Sequence, residues 1–382
     1  MYKERLEDFV TIEHNALGRD PNEIISICKR FSNKKRDFLF VNKIQAKHIP
    51  TKYKDFVNLT VKLYNCIEKS FHPHGNILII GFAETATALS SAIMHQACLD
   101  TNHANDHIWY VQTTRHHLNR DYITFSEEHS HATEQRLYLN TMIPADTIIM
   151  IDDEITTGKT IINMVDKLKK FYPNANYHCA SVLNWQNEEN KKCFSGNNIT
   201  STALVTGCIK DNLYTIDITA EEPINITFDK TDDKNKNYNT LFQMSLFTGI
   251  YCDAFMRYIR QIRQSCNLLK SFLNVSNEKF LIIGTEECMY PAILLSSFFK
   301  NAVCQSTTRS PITVNSEDRY AITSGNKMLS NYGNYVTYLY DVPKDTYNRL
   351  LVVTDCITKH LYEQAYMLAE LNNIPRVNII GY

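Results

Sequence analysis

The chain has 382 residues, 44% of them hydrophobic, and a formal net charge of −1. This composition predicts two or three domains with hydrophobic cores, and it argues against bulk nucleic-acid binding through a basic surface. No apolar run approaches the roughly 20 residues of a membrane span, the polar N-terminus does not fit a signal peptide, and the eleven scattered cysteines indicate reduced thiols. We therefore expect a cytoplasmic protein without membrane contact.

In the first half of the chain, predicted strands and helices alternate after a polar lead-in. Residues 1–75 are expected to form a mainly helical N-terminal region. Strands are predicted over 77–81, 108–112, 147–151 and 177–183, with helices through Leu99 and from Ile161. This alternation predicts an α/β fold with a doubly wound parallel sheet over residues 76–228, whose ligands would bind at the carboxyl ends of the strands.

The second half begins with polar segments and then returns to an α/β pattern. Residues 186–200 and 229–240 are rich in Asn, Lys, Asp and Ser, and they are expected to be surface loops or linkers. Strands are predicted over 203–208 and 213–218, and residues 241–273 are predicted to be helical. We therefore expect a linker and helical connector at 229–279 and a second α/β domain at 280–382.

The most informative segment runs from Ile148 to Thr160, where a buried strand is expected to end in two acids and a Thr/Gly turn to open a helix. Asp152 and Asp153 can accept hydrogen bonds from two vicinal ribose hydroxyls. The amides and hydroxyls of the turn, at the positive end of a helix, can hold a phosphate. The segment therefore indicates a sugar phosphate as ligand.

Two other interpretations of this segment fit its residues less well. Residues 158–160 match the end of a Walker A loop, but Asp153 stands where that loop has its first glycine. An ordinary strand–turn–helix would place adjacent carboxylates on a buried strand, which is costly without partners.

The order of residues in 148–160 resembles the PRPP-binding motif of type I phosphoribosyltransferases. The resemblance implies that Asp152 and Asp153 bind the ribose hydroxyls of 5-phosphoribosyl-1-pyrophosphate (PRPP) and assist Mg²⁺, which PRPP itself mainly holds. It assigns the 5-phosphate to Thr156, Thr157, Gly158, Lys159 and Thr160. Lys159 stands where that family commonly has glycine, so either the backbone there needs no positive φ or the ammonium group helps to hold the phosphate.

The second α/β pattern repeats short motifs of the first. Residues 79–84 recur as 282–287, the Thr-Thr-Arg of 113–115 recurs at 307–309, and residues 148–156 recur as 350–358. This predicts an internal duplication. The second copy has Thr354-Asp355 in place of the acid pair and Lys359-His360 where Gly158 would form the turn, so it is predicted to have lost PRPP binding.

These motifs together resemble the phosphoribosyltransferase-like proteins of bacterial tellurium-resistance and stress-associated gene clusters, which carry a C-terminal TRSP-motif domain. The resemblance implies an enzyme that makes or modifies a ribosyl nucleoside. The matching residues are 38–41 with 47–50, 81–87, 113–115, 125–131 and 152–160 in the first copy, and 284–287 and 307–312 in the second.

The loop over 81–87 follows the first core strand, where phosphoribosyltransferases hold pyrophosphate, and its expected binding residues are Ala83, Glu84, Thr85, Ala86 and Thr87. Glu84 is unusual beside an anion, and a bridging Mg²⁺ would resolve this; a simple helix-capping turn is the alternative. Arg115 ends the next strand and can neutralise charge on departing pyrophosphate, although a surface arginine would also fit.

Residues 116–140 form a polar excursion that is too long for an ordinary connection. They occupy the place of the flexible catalytic loop of the resembled family, and within them Glu128 and His129 are candidate catalytic residues beside Arg115. Glu128, His129 and His131 make only a weak zinc signal. A solvated loop is the alternative.

Two further groups of residues remain open between a binding and a structural role. Lys47 and His48 would lie on the base side of the site or in a surface turn. A second ligand site or a contact between domains would each explain the group Glu286, Glu287, Thr308, Arg309 and Ser310.

The leading functional hypothesis is Mg²⁺-dependent transfer of 5-phosphoribose from PRPP to an unidentified nitrogenous acceptor, with release of pyrophosphate. The alternative is a non-catalytic PRPP or nucleotide sensor in a bacterial stress-response system. A PRPP synthetase also pairs two such domains, but it carries the intact motif in the second copy. The expected partners are small molecules, and fold analogy favours a homodimer.

Overall fold

The computed structural model describes residues 5–31, 37–126, 134–140, 142–210, 221–226, 237–238, 246–273, 277–316 and 320–381. The α-helices in these ranges are α1 (Leu6–Phe9), α2 (Pro21–Ile24), α3 (Tyr53–Phe71), α4 (Thr87–Leu99), α5 (Lys159–Leu168), α6 (Glu188–Gly196), α7 (Cys252–Leu273), α8 (Met289–Ser296) and α9 (Lys359–Leu371).

The strands fall into two groups along the chain. The earlier strands are β1 (Val10–Asn15), β2 (Ile25–Lys29), β3 (Phe38–Asn42), β4 (Asn76–Gly81), β5 (His107–Gln112), β6 (Ile123–Ser126), β7 (Glu134–Leu137), β8 (Thr147–Ile155), β9 (Asn176–Asn184) and β10 (Ile199–Ile209). The later strands are β11 (Ile224–Asn225), β12 (Asn237–Tyr238), β13 (Ile250–Tyr251), β14 (Phe280–Gly284), β15 (Ala302–Ser306), β16 (Gly325–Leu329), β17 (Val336–Tyr340), β18 (Arg349–Thr354), β19 (Cys356–Ile357) and β20 (Val377–Gly381).

The first sheet has seven strands in the order β1-β10-β9-β8-β4-β5-β13. The five inner strands are parallel, and the edge strands β1 and β13 pair antiparallel. From β4 the chain moves outward to β5, then returns to the other side of β4 and continues through β8, β9 and β10. The sheet therefore has a topological switch point between β4 and β8, which is where open α/β sheets bind ligands.

Alternating residues of the central strand β4 face two different apolar layers. Ile77 and Ile79 belong to the core cluster that includes buried residues of α3 and α4. Leu78 and Ile80 belong to a second cluster with buried residues of α5. Because both faces are covered, the strand is a continuous apolar run, as parallel inner strands usually are.

The second sheet repeats the inner part of the first. Its order is β15-β14-β18-β20, all parallel, which matches β5-β4-β8-β9 strand for strand. The loops match as well, because Thr113 and Thr307 both donate their amide to the glycine that ends the central strand, Gly81 or Gly284. We call residues 76–184 the first unit and residues 280–381 the second unit. The predicted α/β fold with a degenerate second copy of related pattern is confirmed.

Several predicted elements differ from those observed. Residues 186–200 contain helix α6 and the start of β10, because Asn187 caps the helix through Asn190 N and acids fill its first turn. The N-terminal region supplies three strands as well as helices, and β1 completes the first sheet by pairing with β10. Strand β8 continues through the two acids to Ile155, since β9 runs beside it. The predicted strand over 213–218 lies outside the described residues.

The remaining predictions of helices and strands correspond closely to α4, α5, β4, β5, β9 and β10. The helix predicted over 241–273 is wrong in its first part, because α7 begins at Cys252 and the preceding residues Ile250–Tyr251 form β13, which pairs with β5 at the sheet edge. The division of the chain into domains stays a prediction. Among the described residues, no helix combines the length and apolar character needed to cross a membrane.

Candidate active site at the switch point of the first sheet

The switch point brings the predicted acids and the predicted pyrophosphate loop to one edge of the sheet. Gly81, the last residue of β4, lies opposite Ile151 of β8. The chain then leaves β4 with Phe82 N donating to Ile151 O at 3.0 Å, and β8 continues into Asp152. The loop over 82–86 and the acid pair are therefore neighbours.

Asp152 and Asp153 are half-buried at this edge. Asp152 Oδ1 accepts a hydrogen bond from the Asp153 amide at 2.9 Å. Burial and the adjacent charge of Glu154 raise the pKa of Asp153 to about 6. A cation or a hydroxyl donor would relieve this crowding of negative charge, so the two carboxylates fit a ligand that brings hydroxyls and a Mg²⁺.

The predicted phosphate turn begins directly after β8 and ends in helix α5. Gly158 has φ of +75° and stands just before the first helical residue. A Cβ at Gly158 would lie 2.1 Å from Phe194 and 2.7 Å from Gln186, so glycine is required twice over. The backbone amides of Thr156, Thr157 and Gly158 donate to no acceptor within the described ranges.

Lys159 resolves one question left open by the sequence. It is not among the residues with positive φ, so glycine is not needed there. It is exposed and begins α5 with its amide 3.4 Å from Thr157 Oγ1. Thr160 follows in the first turn of the helix, half-buried. An ammonium group at the N-terminal end of α5 suits an anion.

The predicted pyrophosphate loop leads into helix α4. Its first part is fixed by other loops, because Ala83 N donates to Thr113 Oγ1 at 2.7 Å and Ala83 O accepts from Gln135 Nε2 at 2.9 Å. The amides of Glu84, Thr85 and Ala86 have no acceptor in the part of the chain that the structure describes. Three such amides at a helix N-terminus can bind an anion.

Glu84 is the charged member of this loop, and its carboxylate faces protein cations. It is buried, and Oε1 forms an ion pair with Lys47 Nζ at 2.8 Å. Burial raises the pKa of Glu84, but the charges of Lys47, Arg115 and Arg309 outweigh this effect and lower it to about 2. The negative charge is therefore balanced by the protein alone, and a bridging Mg²⁺ is not needed to explain it.

Lys47 and His48 are buried rather than in a surface turn. Lys47 lies against the pyrophosphate loop through its ion pair with Glu84. Burial and the charge of Lys47 lower the pKa of His48 to about 3, so this imidazole is neutral near pH 7. A contact of either residue with an acceptor base stays a prediction.

Arg115 lies at the carboxyl edge of β5, half-buried and close enough to Glu84 to lower its pKa. Its amide is 3.3 Å from Glu287 Oε1, and its carbonyl accepts from Arg136 Nη1 at 3.0 Å. The structure thus brings Arg115 to the same side of the site as the pyrophosphate loop. Glu128 and His129 lie outside the described residues.

The group predicted as a second ligand site is engaged in protein contacts. Glu286 accepts from Nε and Nη2 of Arg309, each at 3.1 Å, and from Tyr335 OH at 2.8 Å. Glu287 accepts from Thr114 Oγ1 at 2.7 Å. Thr308 pairs with Tyr338, and Ser310 N donates to Thr308 Oγ1 at 3.1 Å. These contacts favour the structural interpretation, and a second ligand stays a prediction.

Two polar residues of the site were not foreseen from the sequence. Gln135 of β7 bridges the loops by accepting from Thr113 Oγ1 at 2.6 Å while donating to Ala83 O. Gln186 follows β9 and packs against Gly158. A single glutamine carries no motif, so only the contacts across the sheet reveal these roles.

Comparison with known proteins agrees with this geometry. Residues 24–206 match the family model described as phosphoribosyl transferase, which places the chain in that class of protein. Residues 249–370 match a second model, described as the TRSP domain C-terminal to that same transferase domain. Together the two matches span most of the chain, and the chain belongs to the family that joins a phosphoribosyl transferase domain to a TRSP domain.

Solved structures similar to this chain include adenine phosphoribosyltransferases from Rhodothermus marinus and Saccharomyces cerevisiae. The first is 12% identical with a TM-score of 0.35, and the second is 14% identical with a TM-score of 0.32; each match covers 48% of this chain and 94% of the other. Orotate phosphoribosyltransferase from Aeropyrum pernix matches at 12% identity and a TM-score of 0.27, over 40% of this chain and 72% of the other. No curated protein matches the chain.

Proposed function

We propose that the first unit binds PRPP with Mg²⁺ and transfers its 5-phosphoribosyl group to a nitrogenous acceptor, releasing pyrophosphate. The observation that carries this proposal is that two sets of backbone amides, neither with an acceptor among the described residues, lie on either side of one acid pair at the switch point. One amide group lies in the loop over 84–86 and the other in the turn over 156–158. A ligand with an anion at each end and hydroxyls between them fits this arrangement.

Each part of the site has a role in this proposal. The turn and the N-terminus of α5 hold the 5-phosphate, Asp152 and Asp153 hold the ribose hydroxyls, and the loop before α4 holds pyrophosphate. Mg²⁺ is bound mainly through PRPP, with water and few protein carboxylates, as that ion prefers. When bound, it would offset charge on the departing pyrophosphate.

Catalysis in this proposal depends on positioning and charge rather than on a protein nucleophile. As the bond from C1 to pyrophosphate breaks, negative charge grows on the leaving group. The amides of 84–86 and the cation of Arg115 stabilise that charge. The acceptor nitrogen then bonds to C1 from the other face. The acceptor base, a bacterial stress or tellurium-resistance setting and a homodimer stay predictions.

The test is isothermal titration of the full chain with PRPP and Mg²⁺, followed by measurement of pyrophosphate release with a panel of nitrogenous bases. Asp152→Asn/Asp153→Asn should abolish binding. Asp355→Asn is a matched control, because Asp355 is the equivalent acid of the second unit. Burial raises the pKa of Asp355 to about 7, so asparagine resembles the partly protonated native side chain.

The outcomes separate the alternatives. Binding that is lost in the double variant and kept in Asp355→Asn supports the proposal. Absence of PRPP binding by the folded wild type contradicts it. Binding without pyrophosphate release for any base would instead favour a sensor.

A further inference from the structure

Two hydrogen bonds cross between the units at equivalent positions. The amide of Arg115 donates to Glu287 Oε1 at 3.3 Å, and the amide of Arg309 donates to Glu84 Oε1 at 3.1 Å. Arg115 and Arg309 end the repeated Thr-Thr-Arg, and each glutamate is the third residue after the glycine of its central strand. The exchange is therefore reciprocal, as in the isologous interface of a two-fold dimer.

The contact on Glu84 is reinforced by a buried lysine. Lys47 Nζ pairs with Glu84 and also lies 3.2 Å from both Ser306 Oγ and the Thr307 carbonyl oxygen of the second unit. The Lys47 side chain is 1% exposed. The second unit thus holds the pyrophosphate loop twice, directly through the Arg309 amide and indirectly through Lys47.

The contact on Glu287 holds the strand end that carries Arg115. Glu287 accepts from Thr114 Oγ1 at 2.7 Å as well as from the Arg115 amide, and it is buried. Hydrogen bonds to a buried carboxylate are stronger than those between neutral groups. Arg115 and the loop over 82–86, the two elements on the pyrophosphate side of the first site, are therefore both anchored by the second unit.

The equivalent edge of the second unit is filled by its own side chains. Glu286 is held by Arg309, Tyr335 and Ser330, and Asp355 accepts from Tyr332 OH. The guanidinium of Arg309 lies 3.7 Å from the ring centre of Tyr335. The serine and both tyrosines come from the connection between β16 and β17, which covers this edge.

We propose that the second unit acts as a partner subunit built into the chain, which binds no PRPP itself and positions the pyrophosphate side of the first site. This rests on the proposed function. Anchoring Arg115 and the loop in advance removes the cost of ordering them when pyrophosphate binds. The anchoring contacts described above lie on the pyrophosphate side, and the charge of Lys47, which also lowers the pKa of Asp153, is unchanged in the variants below. Ribose 5-phosphate binding should therefore depend much less on those variants.

The experiment measures the affinities of full-length variants for Mg-pyrophosphate and for ribose 5-phosphate separately. Glu287→Ala should weaken pyrophosphate binding about tenfold or more, since it leaves the buried Thr114 hydroxyl and the partly buried Arg115 amide without their acceptor. Ribose 5-phosphate binding should stay within about twofold of the wild type. Glu287→Gln should lose less pyrophosphate affinity than Glu287→Ala. Ser306→Ala should also weaken pyrophosphate binding without affecting ribose 5-phosphate binding, but by less than Glu287→Ala, because Lys47 keeps two other partners.

A matched control lies at the opposite edge of the second sheet. Glu278 is a largely buried acid whose Oε2 is 2.8 Å from Arg349 Nε, at the start of β18. Glu278→Gln should leave both affinities unchanged, and thermal unfolding should show that every variant is folded.

The results decide between two failures. If Glu287→Ala and Ser306→Ala leave pyrophosphate binding intact, or if Glu287→Ala weakens binding of both ligands equally, the second unit does not position the pyrophosphate side, while the proposed function stands. If the wild type binds neither ligand, the proposed function fails and this inference fails with it.

Discussion

The imidazole Nδ1 of His95 lies 2.8 Å from the hydroxyl of Tyr290 and joins α4 of the first unit to α8 of the second. Both side chains are buried within the apolar cluster that the two units share. Burial, with the charge of Arg263, lowers the pKa of His95 to about 4. This contact between the units therefore contains a neutral imidazole near pH 7.

Acidification should destabilise the protein partly through His95. The unfolded chain takes up this proton near pH 6.5 and the folded chain only near pH 4. Between these two values the unfolded state binds more protons, so the free energy of unfolding decreases as the pH is lowered. The full effect is about 3 kcal/mol. In urea unfolding at pH 7 and pH 5, His95→Gln should have a smaller pH dependence, whereas Tyr290→Phe, which keeps the buried imidazole, should retain it. An equal change in the free energy of unfolding between pH 7 and pH 5 for the wild type and for His95→Gln would contradict this account.

Gly158→Ala should destabilise the phosphate turn. A side chain there meets both a positive φ and the ring of Phe194, which together cost at least about 2 kcal/mol. Gly196→Ala is the control, because nothing lies within 4 Å of its Cβ position. We expect a lower midpoint of urea unfolding and weaker ribose 5-phosphate binding for the first variant only; similar midpoints for both would refute the packing argument.

The pH dependence of ligand binding should depend on Glu154. The pKa of Asp153 is raised to about 6 by burial and by the Glu154 charge, and the carboxylate accepts hydroxyl donors better than the acid form does. Ribose 5-phosphate affinity should therefore rise between pH 5 and pH 7. Glu154→Gln should move the midpoint to lower pH, and because the titration of the ligand is common to both proteins, the difference isolates Asp153. An unchanged midpoint would exclude this coupling.

His103 should stabilise the protein as an imidazolium. Its Nε2 lies 3.1 Å from Glu68 Oε1 and its Nδ1 lies 2.6 Å from Asp106 Oδ2. The hydrogen bond to Glu68, opposed by burial and aided by Asp106, raises the pKa of His103 to about 9. The stabilisation is present below the unfolded value of 6.5 and is lost as the pH rises through 9.

The measurement is thermal unfolding at pH 6, 8 and 10. His103→Gln should lower the midpoint strongly at pH 6 and little at pH 10, and Glu68→Gln should move the loss of stability to lower pH. A His103→Gln deficit that is equal at all three pH values would show that packing, rather than charge, explains the contribution of this residue.

The parts of the fold that the sequence predicts are those with local signals. Inner strands such as β4 and β8 are continuous apolar runs. The phosphate turn is a contiguous segment in which the type of each residue suits its proposed contact with the ligand. Helix α6 also has a local signal, since Asn187 caps it and acids follow. Its polar composition favours a loop, which is why the prediction there was wrong.

The parts that the sequence does not predict depend on partners far along the chain. Strand β1 pairs with β10, and Lys47 is held by Ser306 and Thr307. Nothing near Lys47 indicates that its ammonium group lies in the contact between two units. Glu84 presents the same difficulty, because a surface acid, a metal ligand and a buried ion pair share one residue type.

Because the two units exchange hydrogen bonds within one chain, these contacts should not be lost on dilution. A dimer held by such contacts loses them when its concentration falls below its dissociation constant, whereas two units on one chain face each other at a fixed effective concentration. The site should thus be as complete in a nanomolar assay as in a concentrated one. Duplication also frees each copy to diverge, because a substitution in one unit no longer appears in its partner.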